Sequence, residues 1–253
     1  MKTTVTINPK YDFLKEYIEQ IPVRFEELSD VLYKDRNVIK ADQVSNVKLV
    51  IKSYHRIYLT NRIRYSYFYA SKAKRAFQYG LKLLKKGFLT PEPIAFIECF
   101  EYGLLTQSYF ISLHSDFTPL VSLITHQQES LMRDLARYTY QLHRHGIYHM
   151  DYSLGNILCK KQNEHFEFSL IDNNRMKFGH FSFSRRLKNF RRLGLTETQL
   201  TNVAKEYARL EKTDESETIQ RIFRYVDTHK ERHHLKKKAK KLVYSVGHRL
   251  YGT

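Results

Sequence analysis

The segment from His145 to Asp172 limits more than any other what this chain can fold into. Its centre reads HMDYSLGN, from His149 to Asn156. This is the H-x-D-x-x-x-x-N spacing of a kinase catalytic loop. Phosphoryl transfer needs a carboxylate that orients the attacking hydroxyl and accepts its proton, and oxygen ligands that hold magnesium on the nucleotide phosphates. Asp151 fits the first requirement, and the amide oxygen of Asn156 fits the second.

The residues after Asn156 predict a second metal-binding carboxylate. Ile157-Leu158-Cys159 predicts a strand, the polar segment 160–164 a turn, and the apolar run 166–171 a returning strand that ends at Asp172. An aspartate at a strand end can face a bound nucleotide, so we expect Asp172 to share the metal with Asn156. The three motif residues could fall at this spacing by chance, but the strand pair and its Ile-Asp ending argue against that.

Length and composition set the outer limits. With 253 residues the chain can form one domain of two lobes, or two small domains. Its net charge of +17 indicates an anionic partner such as nucleic acid, an acidic membrane face or a phosphorylated substrate. Cys99 and Cys159 lie in apolar runs typical of reduced core residues in a cytosolic protein. No apolar run predicts a signal peptide or a membrane span, so we expect a protein in the cytosol or on the cytosolic face of a membrane.

The segment from Val47 to Lys52 alternates as a strand and predicts a nucleotide-binding lysine. Period two places Lys48, Val50 and Lys52 on one face. Val50-Ile51-Lys52 resembles the V-A-I-K element, in which the lysine pairs with the phosphates and the residue two before it packs on adenine. A solvent-facing lysine on an edge strand is the alternative, and the catalytic loop downstream favours the phosphate role.

Two features of protein kinases are missing upstream of that loop. The hairpin expected to cover the nucleotide, Tyr33 to Val38, contains no glycine. No Asp or Glu lies between Asp42 and Glu92, so the helix predicted from Ser71 to Lys86 cannot give Lys52 the usual glutamate partner. Either the phosphates and other polar groups hold Lys52, or activity is compromised.

The same acid-free segment is rich in basic and aromatic residues. Its basic residues include Lys48, Lys52, Arg56, Arg62, Arg64, Lys72, Lys74, Arg75, Lys82, Lys85 and Lys86. Tyrosines interleave with them, a combination that suits a lipid headgroup surface, a phosphorylated saccharide or RNA. The tail that begins at Lys236 is a short basic helix or a disordered arm, which either contacts a membrane or aids solubility.

The remaining segments predict the rest of a two-lobed chain. Strands are expected at 94–99 and 104–113, with a hinge at Leu113 whose backbone would bind adenine, and Leu158 would form the floor of the adenine site. Residues 1–113 would form the N-lobe and residues 114–253 the C-lobe. Further helices are expected at 11–20, 127–144, 195–210, 215–225 and 230–244. No A-P-E element follows Asp172, which favours a small-molecule or lipid-linked acceptor over a peptide.

Together these residues resemble the Kdo/WaaP lipopolysaccharide kinases. The matching elements are V-I-K at 50–52, T-P-E-P at 90–93, H-G-I-x-H-x-D-x-x-x-x-N at 145–156 and I-D-x-x-R-M at 171–176. The catalytic loop alone also fits aminoglycoside- and choline-kinase-like enzymes, and the other elements favour the lipopolysaccharide kinases. The resemblance implies an α+β, bilobal protein-kinase-like fold, with an antiparallel sheet plus helix in the N-lobe and a mostly helical C-lobe.

The resemblance also implies an activity and a set of site residues. The chain would be an ATP- and Mg²⁺-dependent kinase that phosphorylates Kdo, or second a heptose, of a lipid A-linked core oligosaccharide. Its expected site comprises Asp151 as catalytic base, Asn156 and Asp172 as metal ligands, Lys52, Val38, Val50, Leu113 and Leu158 at ATP, and His149 and Arg175 in support.

The expected setting follows from the same resemblance. The protein would be a cytoplasmic monomer, peripheral on the inner face of the inner membrane, bound to its anionic surface rather than to nucleic acid. Two alternatives stay open: a kinase-like phosphotransferase with a soluble acceptor, and a non-catalytic kinase-like module that binds anionic lipid or nucleic acid.

Overall fold

A computed structural model describes residues 1–55, 57–124 and 129–251, with side chains up to Lys238. Arg56, the first two residues of the helix expected from 127, and the side chains of the basic tail beyond Lys238 lie outside the described residues. The chain divides into two compact units. The first comprises Met1–Pro119, Asn156–Lys160 and Phe168–Met176, and the second comprises the rest of the described chain.

The first unit is built on a six-stranded antiparallel sheet with the strand order β1-β5-β6-β4-β3-β2. Its elements are β1 (Lys2–Ile7), α1 (Lys15–Arg24), β2 (Asp30–Lys34), β3 (Val38–Val44), β4 (Val47–Tyr54), α2 (Leu59–Tyr67), α3 (Lys72–Lys85), β5 (Pro93–Glu101), β6 (Leu104–Leu113) and the short β7 (Thr118–Pro119). The strands predicted at 94–99 and 104–113 are confirmed as β5 and β6.

One face of this sheet packs against the N-terminal helical segment. Ile18, Ile21 and Phe25 form a core with Leu49 and Ile51 of β4. The predicted alternation is confirmed, because Leu49 and Ile51 are buried while Val50 and Lys52 point to the other face. The helix predicted at 11–20 is shifted: a 3-10 helix spans Pro9–Leu14, and α1 begins only at Lys15.

The opposite face of the sheet packs against α3. The side chains of Ala73 and Phe77 join Tyr54 and Phe96 in a second core cluster. The predicted start and end of this helix are confirmed, since the Ser71 hydroxyl accepts a hydrogen bond from the Lys74 amide and Gly87 follows the helix with a positive φ.

Helix α2 was not predicted. It has no side-chain cap and no buried residue, so it lacks both sequence signals by which helices are recognised. Leu59, Ile63 and Tyr67 are spaced four apart, so they share one stripe of this helix, and all three are exposed.

The second unit is mostly helical. The remaining elements of the chain are α4 (Leu120–Leu123), α5 (Glu129–Arg144), β8 (Ile147–His149), β9 (Ile157–Gln162), β10 (His165–Leu170), β11 (Met176–Phe178), α6 (Phe183–Leu187), α7 (Glu197–Glu211) and α8 (Glu215–Tyr251). The two helices predicted at 215–225 and 230–244 are wrong as separate elements, because α8 continues through the intervening Val-Asp-Thr-His, which contains no Gly or Pro. Within the described residues, no helix is long and apolar enough to cross a bilayer.

Candidate active site

The structure brings two of the predicted site residues into direct contact. Lys52 near the end of β4 donates a hydrogen bond from Nζ to Oδ1 of Asp172 over 2.5 Å, and their side chains are 16% and 25% exposed. Burial alone would lower the pKa of Lys52, but its neighbours Tyr54 and Asp172 outweigh burial and the pKa is raised. Burial also raises the pKa of the Tyr54 phenol, which is therefore uncharged at neutral pH. The charge that stabilises the Lys52 ammonium is that of Asp172.

Asp172 is held in place by the turn that it begins. It has left-handed backbone angles, φ 57° and ψ 42°, and precedes a 3-10 turn over Asn173–Arg175. Asp is among the residues that adopt this conformation most readily. The Asn174 side-chain amide donates to Oδ1 of Asp172 at 2.7 Å, so a single carboxylate oxygen receives both Asn174 and Lys52.

Thr90 connects this turn to the loop between α3 and β5. Its hydroxyl donates to the Leu170 carbonyl oxygen at 2.7 Å and accepts from the Asn173 side-chain amide, also at 2.7 Å. Thr90 is 8% exposed and Asn173 5%. The sequence predicts Thr90 only as part of a motif and does not predict this contact, although the joint occurrence of T-P-E-P and I-D-x-x-R-M is a signal for it.

Asn156 lies just before β9, and Asp172 lies shortly after its partner strand β10. The Ile171 amide donates to the Asn156 carbonyl oxygen at 3.1 Å, so Asn156 lies across from the residue before Asp172. A carboxylate and an amide oxygen are the donors that Mg²⁺ takes from a protein when substrate phosphates and water supply the rest. Among the described residues no group of three His, Cys, Asp or Glu side chains could hold a metal alone. The donor set therefore fits a nucleotide-bound Mg²⁺.

The register of β3 and β4 changes one of the expected adenine contacts. Directly paired residues point to the same face of a sheet, and Val50 pairs with Ala41 while Lys52 pairs with Ile39. Val38 pairs with Ser53 and packs in the core on the opposite face. Val38 therefore does not share a face with Val50 and Lys52. Ile39 occupies the position on that face that the sequence predicts for Val38.

The two other expected adenine contacts also lie in the first unit. Leu158 of β9 is buried and pairs with Pro119 of β7. Leu113 pairs with Leu49, which turns its side chain away from the Val50 face, and its amide donates to the Glu92 carbonyl oxygen at 2.9 Å. The Leu113 amide is therefore already hydrogen-bonded within the protein, and the expected adenine contact of this hinge stays a prediction.

Asp151 belongs to the second unit, where His149 and Arg192 contact it directly. Its backbone amide donates to Nδ1 of the buried His149 at 3.1 Å, and the Asn189 side-chain amide donates to the His149 carbonyl oxygen at 2.8 Å. Nη1 of Arg192 lies 3.2 Å from Oδ1 of Asp151. The sequence does not predict Arg192 as a site residue, because nothing in the spacing of the motif points to a residue 41 positions further on.

The arrangement therefore supports the expected residues unequally. Lys52 and Asp172 are in contact, with Asn156 on the adjoining strand. His149 is buried and accepts a hydrogen bond from the Asp151 amide, so it supports the loop that carries Asp151. Arg175 is exposed beside the Asp172 turn. The roles assigned to these residues in catalysis stay predictions.

A comparison with protein-family models decides between the kinase classes that share this loop. The model described as "Lipopolysaccharide kinase (Kdo/WaaP) family" matches residues 32–213, well over half of the chain. This chain belongs to the Kdo/WaaP lipopolysaccharide kinase family. The predicted family is thus confirmed, and the chain is a phosphotransferase of a kinase family.

The solved structure of WaaP supports the fold. The chain is similar to WaaP, from the structure "WaaP in complex with acyl carrier protein", with a TM-score of 0.59 and 18% identity over 90% of this chain and 99% of that one. It is also similar to the Rio2 kinase of Chaetomium thermophilum in its ADP/Mg²⁺-phosphoaspartate complex, with a TM-score of 0.47 and 19% identity over 88% and 77% of the chains. No curated protein sequence matches the chain. The likeness to WaaP confirms the predicted α+β, kinase-like fold class.

Proposed function

We propose that this lipopolysaccharide kinase transfers phosphate from ATP to Kdo, or second to a heptose, in the inner core of a lipid A-linked precursor. The observation that carries the proposal is the contact between Lys52 and Asp172 beside Asn156, within a chain of this family. These are the groups needed to hold a metal–nucleotide complex. The acceptor sugar is inferred from the family.

Each residue has one task in this mechanism. Lys52 binds the phosphates, and Val50, Ile39 and Leu158 surround the adenine. Asp172 and Asn156 would hold Mg²⁺, which supplies charge neutralisation at the phosphates. Asp151 orients the sugar hydroxyl and accepts its proton as the hydroxyl oxygen bonds to the γ-phosphorus. The bond from that phosphorus to the bridging oxygen breaks at the same time, and ADP leaves. We place the lobe boundary after Leu113, as the sequence predicts.

Asp172 also answers how Lys52 is held without a glutamate on the helix. In the nucleotide-free protein the two side chains neutralise each other. Nucleotide phosphates would offer the Lys52 ammonium other oxygen partners, and the Asp172 carboxylate would then be available to hold Mg²⁺. The ion pair therefore keeps both partially buried groups charged and ready.

We also propose that the enzyme works on the cytoplasmic face of the inner membrane and meets it through α2. The exposed stripe of Leu59, Ile63 and Tyr67 offers apolar and amphipathic side chains for the lipid interface. Arg64 lies 4.2 Å from the ring centroid of the exposed Tyr69, which adds a basic group at the end of the same helix. Since no acidic residue occurs between Asp42 and Glu92, nothing in this segment repels an anionic headgroup.

Phosphate transfer from labelled ATP to Kdo-bearing lipid A precursor in vesicles tests the activity. Incorporation by the wild type and not by Asp151→Asn would support the proposal, and a heptose-bearing acceptor would separate the two sugars. Transfer only to soluble acceptors would favour a soluble-acceptor phosphotransferase. Absence of both transfer and ATP binding would favour the non-catalytic module.

Co-sedimentation with vesicles tests the membrane surface separately. The double variant Leu59→Ser/Ile63→Ser should lose most of its binding to phosphatidylglycerol vesicles. The matched control is Val23→Ser, which removes an exposed apolar side chain from α1. If both variants bind the vesicles equally well, α2 is not the membrane-binding surface. The proposed kinase activity does not depend on that result.

A further inference from the structure

Two lysines share one buried tyrosine ring next to Asp172. Nζ of Lys52 lies 5.4 Å from the ring centroid of Tyr54, and Nζ of Lys72 lies 5.6 Å from it. Tyr54 is 2% exposed and packs against Ala73 and Phe77 of α3. Since Lys72 is the first residue of α3, this packing fixes the start of the helix, and its first lysine, beside the phosphate-binding lysine.

The charges at this point do not balance. Burial and the charge of Lys52 lower the pKa of Lys72, Arg36 and Arg75 act in the same direction, and only Asp172 opposes them. Among the described residues Lys72 forms no ion pair, and the one nearby carboxylate already binds Lys52. The two ammonium groups of Lys52 and Lys72 are therefore opposed by one carboxylate, that of Asp172. A bound polyanion would neutralise the excess positive charge.

The position of Arg36 points to the same ligand. It lies in the turn between β2 and β3, the hairpin that in kinases covers the nucleotide phosphates. This turn contains no glycine that would let backbone amides approach the phosphates. Its basic side chain contributes positive charge where Lys72 stands. Side-chain cations thus lie where a protein kinase uses a glycine-rich backbone.

We propose that Lys72 is a second phosphate-binding residue, which together with Lys52 holds the β- and γ-phosphates of the nucleotide. This inference rests on the proposed use of ATP and adds a residue to that site. In protein kinases the helix gives a carboxylate to the strand lysine, whereas here it gives a cation to the ligand. Tyr54 keeps the two ammonium groups together, because cations are favoured near an aromatic ring.

A structural role and a ligand-binding role of Lys72 predict opposite effects of its removal. If Lys72 served the fold, Lys72→Met would lower the melting temperature. If it serves the ligand, the same variant relieves repulsion with Lys52, so the melting temperature of the nucleotide-free protein stays the same or rises. Lys85→Met is the matched control, because it removes an exposed lysine from the last turn of the same helix.

Calorimetric titration of the full chain with ATP, ADP, AMP and adenosine tests the inference. Lys72→Met should weaken ATP binding by about 10- to 100-fold, ADP binding by less, and adenosine binding hardly at all. Lys72→Arg should retain most of the affinity, and Lys85→Met all of it.

Three results would overturn the inference. They are ATP binding by Lys72→Met as tight as by Lys85→Met, an equal loss for ATP and adenosine, and a lowered melting temperature that accounts for the loss. Failure of the wild type to bind any nucleotide would instead overturn the proposed function, and the inference with it.

Discussion

Replacing Thr90 by valine tests how firmly the Asp172 turn depends on one hydroxyl. The Thr90 side chain is buried and makes two hydrogen bonds of 2.7 Å, to the Leu170 carbonyl oxygen and from the Asn173 amide. Valine has nearly the same shape, so the change removes the hydrogen bonds without opening a cavity. Thr90→Ser keeps the hydroxyl and loses one methyl group, which makes it the control.

The magnitude follows from the two groups that lose their partner. A buried polar group without a hydrogen bond costs about 1–3 kcal/mol, so Thr90→Val should lower the free energy of unfolding by about 2–4 kcal/mol once the retained packing is counted. For a chain of this size that lowers the melting temperature by about 4–16 °C. Thr90→Ser should cost about 1 kcal/mol.

Thermal unfolding and ATP titration of both variants form the assay. Thr90→Val should also weaken ATP binding, since Asp172 and Asn174 belong to the same turn as Asn173. If Thr90→Val proves as stable as Thr90→Ser, the hydroxyl is not what fixes the turn and the reasoning fails.

Three further predictions follow from contacts in the second unit. Arg192→Ala should lower kcat about tenfold with little change in melting temperature, because Arg192 holds the Asp151 carboxylate at 3.2 Å. Arg192→Lys keeps the charge and is the control. An unchanged kcat in Arg192→Ala would refute this prediction. Burial lowers the pKa of His143 to about 4 from its usual 6.5. As the pH falls, the histidine of the unfolded chain therefore takes up a proton before that of the folded chain. The free energy of unfolding should consequently drop by about 2 kcal/mol between pH 7 and pH 5. Urea unfolding should show that drop in the wild type and lose it in His143→Gln. Gly146→Ala places a Cβ atom 2.5 Å from the Gly179 carbonyl oxygen at a positive φ, whereas at Gly87, also at positive φ, a Cβ atom meets nothing within 4 Å. Urea unfolding should therefore give a loss of about 1 kcal/mol for Gly87→Ala and clearly more for Gly146→Ala, and equal losses would contradict the steric argument.

Elements with a strong period and a strong terminus could be predicted from the sequence. β4 alternates buried and partly exposed residues as expected, and α3 begins after Ser71 and ends before Gly87. Helix α2 could not be predicted, since its apolar stripe faces outward and no residue caps it. The continuous α8 was divided in two because the local pattern weakens where the helix has few buried neighbours.

The candidate site shows the same limit at the level of single residues. Spacing suggested roles for Lys52 and Asp172, but their contact joins positions 120 residues apart and follows from the tertiary fold. The error at Val38 is one of register. Ser45 and Asn46 both have positive φ and form the two-residue turn between β3 and β4. This turn pairs Val44 with Val47. Five residues further from the turn on each strand, Ile39 therefore pairs with Lys52. Serine rarely takes this conformation, so the sequence gives little signal for this turn.

The close fit of α3 to the sheet has a consequence for regulation. A Cβ atom at Gly80 would lie 2.6 Å from Cγ of Pro93, so α3 packs against Pro93 too closely to leave room for a side chain at this position. Many protein kinases are switched off by a helix that swings outward and carries its glutamate away from the strand lysine. A helix that packs this closely on Pro93 and holds no carboxylate for Lys52 cannot act as that switch. An enzyme of this construction is expected to be active whenever both substrates are present, and its output would follow their supply.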